Sequence, residues 1–399
     1  MDATASGFET GGGGLSRRST AALLYLVFAD LAGFGMLLPD VQLRAERLGA
    51  PGWLIGAILS STFVLQAIAS PRWGALSDRI GRKPVVLACT AISASAMFLY
   101  SQASAVWIIL ASRVLAGFGA ANVATAQATL AEGTPPAGRT GMMGYVGAAA
   151  STGLVLGPAI GGVLADSGGA FLVGLGAGAL SLSGVALAWA WLPRGAPLHS
   201  TAPEPKGTLS LLRTHPLLPT LFAVATVGWF SLACLEGTFG RLLNHRFGAG
   251  ALGFGMVFAY ESLLSVLAQG FLAKPLSRRW GERRLLIGSF ALQGMGLAAM
   301  PFAPTMASIF LAATAFGIGN GLLNPAINGW CSRVTPERRQ GAMFGMLQSS
   351  RSLGFVVGPT LGGAMYDRNP AAPYLLAGAV SAFAIALLVA RRPGITRAQ

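Results

Sequence analysis

GALSDRIGRK, residues 74–83, is a short charged run set between two long apolar ones. WLIGAILSSTFVLQAIASP (53–71) precedes it and VVLACTAISASAMFLYSQA (85–103) follows it. A helix needs about 20 apolar residues to cross the hydrocarbon core of a bilayer, and each flank is that long. The run therefore reads as a turn joining two membrane-spanning helices on one side of a membrane. Gly74 and Gly81 suit tight turning and close approach. Arg79, Arg82 and Lys83 suit the cytoplasmic face, where basic residues collect. Asp78 is an acid that this charge bias does not require.

Composition agrees with a membrane protein. Of 399 residues, 53% are hydrophobic and 11% charged, against about 25% charged in soluble domains. The 28 Lys+Arg exceed the 14 Asp+Glu, giving a net charge of +14. A nucleic-acid partner is not expected, because the charges sit in short gaps between apolar segments. Cys89, Cys234 and Cys331 are scattered and suggest no disulfide framework. His199, His215 and His245 form no ligand cluster, so neither a metal nor another cofactor is expected. No Gly-Lys-Ser/Thr phosphate loop appears, which argues against ATP as the energy source. No nucleophile–base pair stands out, so an enzyme is not expected.

Twelve apolar segments of spanning length are expected at about 20–39, 53–71, 85–103, 106–130, 141–164, 170–192, 217–240, 252–273, 285–303, 306–329, 341–365 and 373–390. Strands crossing a membrane would be shorter and alternate in polarity, so the spans are helices. Alternate gaps differ in charge. One set holds only Arg44, Arg47, Arg241, Arg246 and Arg368; apart from Arg113 and Arg351 inside spans, every other basic residue lies in the opposite set or the tails. That asymmetry places both termini in the cytoplasm. The expected layout is a tail (1–19), a six-helix bundle (20–192), a Pro/Ser/Thr-rich cytoplasmic linker (193–216), a second bundle (217–390) and a tail (391–399). The halves repeat. Leu76-Ser77-x-Arg79-x-Gly81 recurs as Leu276-Ser277-x-Arg279-x-Gly281. Gly153-x-x-x-Gly157-Pro158-x-x-Gly161-Gly162 recurs as Gly354-x-x-x-Gly358-Pro359-x-x-Gly362-Gly363. The second copy of the charged turn lacks the acid, with Arg278 in place of Asp78. The fold class is thus all-α: twelve transmembrane helices in two pseudo-symmetric six-helix bundles.

The charged turn resembles the G-x-L-S-D-R-x-G-R-K signature of the major facilitator superfamily. The resemblance covers about residues 20–390. Gly153, Gly157, Pro158, Gly161 and Gly162 resemble the glycine signature of that superfamily's proton-driven antiporters. Small residues also let helices pack closely, which alone accounts for the run physically. The drug–proton antiporter branch, which includes tetracycline exporters, is the most similar. What the resemblance implies is proton-coupled efflux of a small amphiphilic molecule by a monomer in a bacterial inner membrane. The substrate, protons and the lipid bilayer are then the partners. Tetracycline exporters carry further acids in spans 3 and 9, where this chain reads CTAISASAM and IGSFALQGMGLAAM. Alternatives are an exporter of an endogenous metabolite, such as a sugar, amino acid or siderophore, and a non-transporting sensor.

Asp30, Arg113, Glu236, Glu261 and Arg351 are the ionisable residues expected inside spans. Each costs at least about 2.5–3.5 kcal/mol at mid-membrane, and such residues usually serve function. By resemblance, Asp30 is the main proton carrier and Arg113 its modulator, with Glu236 or Glu261 secondary. Depth along the spans pairs Arg351 with Glu261, whereas the superfamily's helix arrangement pairs it with Glu236. Phe34, Asn122, Trp229, Tyr260, Phe316 and Asn324 are the candidate cavity residues. Phe230, Phe258, Met142, Met143, Met256, Met343 and Met346 lie nearby in sequence, and aromatic and Met side chains make adaptable apolar surfaces. Gly74, Asp78, Arg79, Gly81, Arg82 and Lys83 form the expected gating motif. In it Asp78 latches the halves by capping the helix that begins near Gly341.

The charge asymmetry makes a direct prediction. A single cysteine at position 248 is labelled by a membrane-impermeant reagent outside intact cells, and one at position 206 is spared. Labelling at 206 under those conditions overturns the orientation.

Overall fold

The computed structural model describes residues 15–135, 138–193, 215–336 and 339–390. Among them the chain is helical throughout, as expected where no water is available to satisfy backbone polar groups. In order the helices are α1 (Arg17–Arg47), α2 (Gly52–Ile80), α3 (Arg82–Ser101), α4 (Val106–Gly119), α5 (Asn122–Glu132), α6 (Arg139–Trp191), α7 (Leu218–Phe247), α8 (Gly250–Leu267), α9 (Ala273–Ala299), α10 (Met306–Val334), α11 (Gln340–Arg368) and α12 (Ala372–Ala390). Helices and spans do not correspond one to one. α4 and α5 together make span 4. α6 carries spans 5 and 6, separated by non-helical backbone at Gly168 and Gly169. Span 8 is α8 plus a π-helical turn, Ala268–Leu272, and the start of α9; Gly281, at φ 74°, divides it from span 9. Twelve spans result. The linker 193–216 and both tails lie almost wholly outside the described residues.

The charged turn is tighter than its sequence suggests. α2 continues to Ile80 and α3 begins at Arg82, so Gly81, at φ 94°, is the whole connection. Such a φ favours glycine. Gly74 is helical and nothing lies near it, so it makes no close helix contact.

The two bundles meet at the end of the molecule remote from this turn. A side chain at Gly56 would strike the Pro359 backbone, and one at Gly255 the Pro158 backbone. Gly363 likewise abuts Gly52, and Gly162 abuts Ala251. We call this the sealed end, and the end bearing Gly74–Lys83 the basic end. One hydrophobic core, from Met36 and Ile55 to Phe254 and Tyr374, runs across both bundles toward the sealed end. Toward the basic end the cores separate: one holds Leu23, Val86 and Val146, the other Leu221, Phe290 and Ile327. Tyr145 and Phe344 are 65% and 50% exposed there, and among the described residues nothing would meet a Cβ added at Gly141, Gly144 or Gly345. A cleft between the bundles opens at the basic end. Large apolar side chains cover the perimeter, among them Trp107, Trp189, Phe271 and Leu311, as lipid-facing helices require.

The contacts refine the repeat. Gly255 answers Gly56, one residue short of the 200 that separate Ser77 from Ser277. Span 8 therefore contains one more residue than span 2 between these points. The π-helical turn Ala268–Leu272 falls in that interval, and a single extra residue is what a π-bulge accommodates.

Lys83 has a bracing role within its own bundle. Its Nζ donates to the carbonyls of Trp189 (2.7 Å) and Leu192 (2.5 Å), closing the end of α6. Arg283 does the same for α12 through Leu388 and Val389, both at 2.9 Å. Cations at helix C-termini are favoured. Lys83→Met and Arg283→Met are each expected to lower the melting temperature in detergent, a loss of about 1–2 kcal/mol once partial exposure is discounted. An unchanged melting curve contradicts the brace.

Candidate functional site

Of the expected ionisable residues, Asp30 lies on α1, Arg113 on α4, Glu236 on α7, Glu261 on α8 and Arg351 on α11. Asp30 lies half-buried on α1 and accepts a 2.8 Å hydrogen bond from Asn122 Nδ2 at the start of α5. Asn122 is therefore a partner of the acid. Phe34, one turn along α1, packs edge-on against Phe63 of α2, with ring centroids 6.0 Å apart.

The other bundle supplies a second charged group. Glu236 on α7 and Arg351 on α11 feel one another's charge, whereas Glu261 shows no such influence of Arg351. Among the described residues no carboxylate comes within ion-pair distance of Arg351. Its guanidinium instead stands 4.4 Å from the Trp229 ring centroid and 5.7 Å from that of Phe355. A desolvated cation–π contact contributes about 2 kcal/mol, part of the cost of holding Arg351 away from water. Glu261 on α8 feels Glu236 and lies beside Asn320. Ser262 Oγ donates to its Oε2 at 3.5 Å, and its buried Oε1 has no hydrogen-bond partner by geometry among the described residues.

Phe63 and Phe355, stacked at 4.4 Å, close the cleft from opposite bundles. Sequence reading missed both. The signal was present: Gly52, Gly56, Ser60 and Phe63 recur at three- and four-residue spacing on one face of α2, with small residues placed to admit another helix.

Three expectations differ in the structure. Arg113 does not approach Asp30 here: its Nη2 lies 3.6 Å from Met97 Sδ, and its guanidinium faces the Tyr100 ring at 5.7 Å. Tyr100 in turn donates to Asp40 at 2.8 Å. Asp40 is 2% exposed; α1 runs eight residues past the expected end of span 1, and this buried acid was missed for that reason. Phe316 is wholly buried and packs against Gly296 on α9, away from the cleft. Tyr260 is tied to α10 through Thr314 (2.8 Å) and Phe310. Asn324 is half-buried on α10.

The glycine signature packs in two directions. Gly153, Gly157 and Gly161 fit against α1 at Phe28, Ala32 and Met36, while Gly162 and Pro158 meet α8 across the seam. In the charged turn, Arg82 bonds Ser77 Oγ and Arg79 is exposed. The Asp78 side chain, and those of Gln340–Ala342 facing the expected latch, lie outside the described residues.

A charge network locks the sealed end, and sequence reading did not single it out. Arg241 of α7 binds Glu46 of α1 (2.7 Å) and Asp367 of α11 (2.9 Å), and lies 4.6 Å from the Tyr366 ring centroid. Asp367 also accepts from Gly52 N at 2.6 Å, and His245 lies 3.2 Å from Glu46. Ser60 and Thr360 pair across the seam at 3.0 Å. Arg241→Ala removes the cation that joins three helices, leaving Glu46 with His245 and Asp367 with Gly52 N. The two carboxylates are 23% and 34% exposed, so solvent screening holds the loss below the cost of breaking a fully buried pair, about 3–5 kcal/mol. Spin labels at positions 48 and 248 are expected to shift to longer separations in this variant, and an unchanged distance distribution contradicts the lock.

Comparison with known proteins agrees with this architecture. The sequence profile of the Major Facilitator Superfamily matches residues 23–240 and again 231–398. The chain is 30% identical over 399 residues to the class G tetracycline resistance protein of Vibrio anguillarum, covering 95% of this chain and 99% of that one. It is 30% identical over 370 residues to multidrug resistance protein 2 of Bacillus subtilis (strain 168), covering 90% and 91%. Among solved structures, the human organic anion transporter MFSD10 superposes with a TM-score of 0.69 at 23% identity, covering 93% and 99%. The nucleoside transporter NupG superposes with a TM-score of 0.77 at 15% identity, covering 93% and 98%. At those identities the two structures speak for the fold alone.

Proposed function

This chain belongs to the major facilitator superfamily, and from that premise we propose that it is a proton-coupled exporter of small amphiphilic, drug-like molecules, working by alternating access in a bacterial inner membrane. The observation that carries the proposal is the set of buried or half-buried carboxyl groups inside the spans of both bundles. Asp30 lies on one bundle and Glu236 and Glu261 on the other, with Arg351 beside Glu236. The resistance functions named for its relatives and the antiporter-like glycine run support export as the direction.

With the basic end in the cytoplasm, the conformation is inward-open. A lipophilic substrate enters the cleft from that side and meets the aromatic wall of Phe34, Phe63, Trp229 and Phe355. Carboxyl groups moved between water and a sealed, apolar surrounding change their affinity for protons, because desolvation disfavours the charged form and a nearby guanidinium favours it. Rocking the bundles alters both influences at Asp30 and Glu236, which converts the conformational cycle into proton uptake on one side and release on the other. Arg351 is the adjustable cation for Glu236. Arg113, held at Tyr100 and Met97, braces the first bundle and acts on Asp30 when the cycle brings them together. The tails, the linker and the Asp78 latch complete the proposal on the cytoplasmic side, with the protein acting as a monomer.

The test is transport in proteoliposomes under an imposed pH gradient, with a panel of lipophilic drugs. Asp30→Asn is expected to reduce uphill efflux more than tenfold and to leave downhill exchange intact. Glu236→Gln and Glu261→Gln are expected to weaken coupling with substrate binding preserved. Wild-type pumping by all three variants removes the carboxyl groups from the mechanism.

A further inference from the structure

Gln42 is completely buried at the seam, on the face of α1 that meets α7. Its amide makes two hydrogen bonds to one place on the other bundle. Nε2 donates to the Glu236 carbonyl at 2.5 Å, and Oε1 accepts from Gly240 N at 3.0 Å. Glu236 O and Gly240 N are the two ends of a single rung of the α7 helix, because an α-helix bonds each N–H to the carbonyl four residues earlier. The side chain thus engages both ends of one backbone rung, acting as a peptide group from another helix. An amide supplies a donor and an acceptor together; an ionised carboxylate, a hydrocarbon or an ammonium group does not. Gly240 leaves the slot for it: a Cβ there would lie 3.2 Å from Gln42 Oε1 and 3.3 Å from the Phe254 ring. Gly237, next to Glu236, is pressed against Pro359 of α11. One turn further along α1, Glu46 binds Arg241, the residue after Gly240. α1 therefore grips α7 at two successive levels, and the inner level is the backbone of Glu236 itself.

We propose that Gln42 is a positioning residue of the transport cycle, whose amide ties closure of the sealed end to the placement of the Glu236 carboxyl group. This rests on the reading of Glu236 as a coupling carboxyl. The device can switch at little cost. When α1 and α7 separate, Glu236 O and Gly240 N still have each other, so no backbone group is stranded in a low-dielectric surrounding. The freed amide faces the water that enters. When they close, the rung is shared with Gln42, and the α7 backbone is fixed at the point from which the Glu236 side chain projects toward Arg351. Neither state leaves an unmet polar group, which is what a bistable element requires. The placement of Gln42 explains why the contact sits between the charge network and the carboxyl site: movement at the first is passed to the second through one rung of helix.

The experiment uses full-length protein in liposomes, with native cysteines replaced and Ser60→Cys as a reporter within the seal. In Gln42→Leu, reaction of that cysteine with an impermeant maleimide from the sealed side is expected to rise about tenfold. Gln42→Glu carries the same donor and acceptor when protonated. It is expected to keep the reporter protected in acid and to lose protection as the medium is made alkaline. A second readout is the rate at which dicyclohexylcarbodiimide modifies Glu236, followed by mass spectrometry with Glu261 as internal control. That rate is expected to change several-fold in Gln42→Leu while the Glu261 rate holds. An unchanged reporter in both variants overturns the clamp. A loosened seal with an unchanged Glu236 rate overturns the positioning role. Failure of wild-type protein to couple transport to a pH gradient would sink the proposed function, and both readouts here would still decide the role of Gln42.

Discussion

The bundles approach one another backbone to backbone, and glycine permits it. Gly56 lies on the Pro359 backbone and Gly255 on the Pro158 backbone, a reciprocal pair that follows from the repeat. In a membrane, helix association has little hydrophobic drive and depends on close packing. Any side chain larger than hydrogen at these positions would hold the bundles apart. The sealed end, the stacked Phe63 and Phe355 above the cleft, and the separation of cores at the basic end all depend on that contact.

Charge is placed according to this seam. An ionisable group in the hydrocarbon region is costly, and each such group here is given some relief. Arg241 has two carboxylates, Arg351 has aromatic faces and the field of Glu236, and Asp40 has Tyr100 and Arg44. Glu261 has least, with one oxygen unpartnered. Relief is incomplete even in the lock, where Arg241 Nη1 is buried without a partner among the described residues.

The repeat is a scaffold with deliberate departures. Lys83 and Arg283 cap equivalent helices in the two halves. Asp30, Glu236, Glu261 and Arg351 have no counterparts in the opposite half: position 230 is Phe, and Thr62 stands in the contact that Glu261 makes with α10. The extra residue in span 8 is a departure of the backbone itself, and a π-turn absorbs it between Glu261 and the charged turn. Symmetry provides the rocking frame, and coupling chemistry is written into what breaks it.

Fold and family were legible from residue order alone. Apolar run lengths gave the spans, charge bias gave an orientation, and the doubled glycine and charged motifs gave two halves, because bilayer thickness and close packing constrain local sequence. The buried acids and arginines inside spans could also be named, since a charge in an apolar run is conspicuous. What residue order could not supply was partnership across the seam. Arg351 feels the charge of Glu236, Asp30 is held by Asn122, Arg113 turns to Tyr100, and Phe316 faces the interior of its own bundle. Gln42, Glu46 and Asp367 looked like ordinary residues near span ends. Their importance arises only when α1, α7 and α11 meet, because a hydrogen bond or ion pair between helices depends on rotation and depth, which tertiary packing sets.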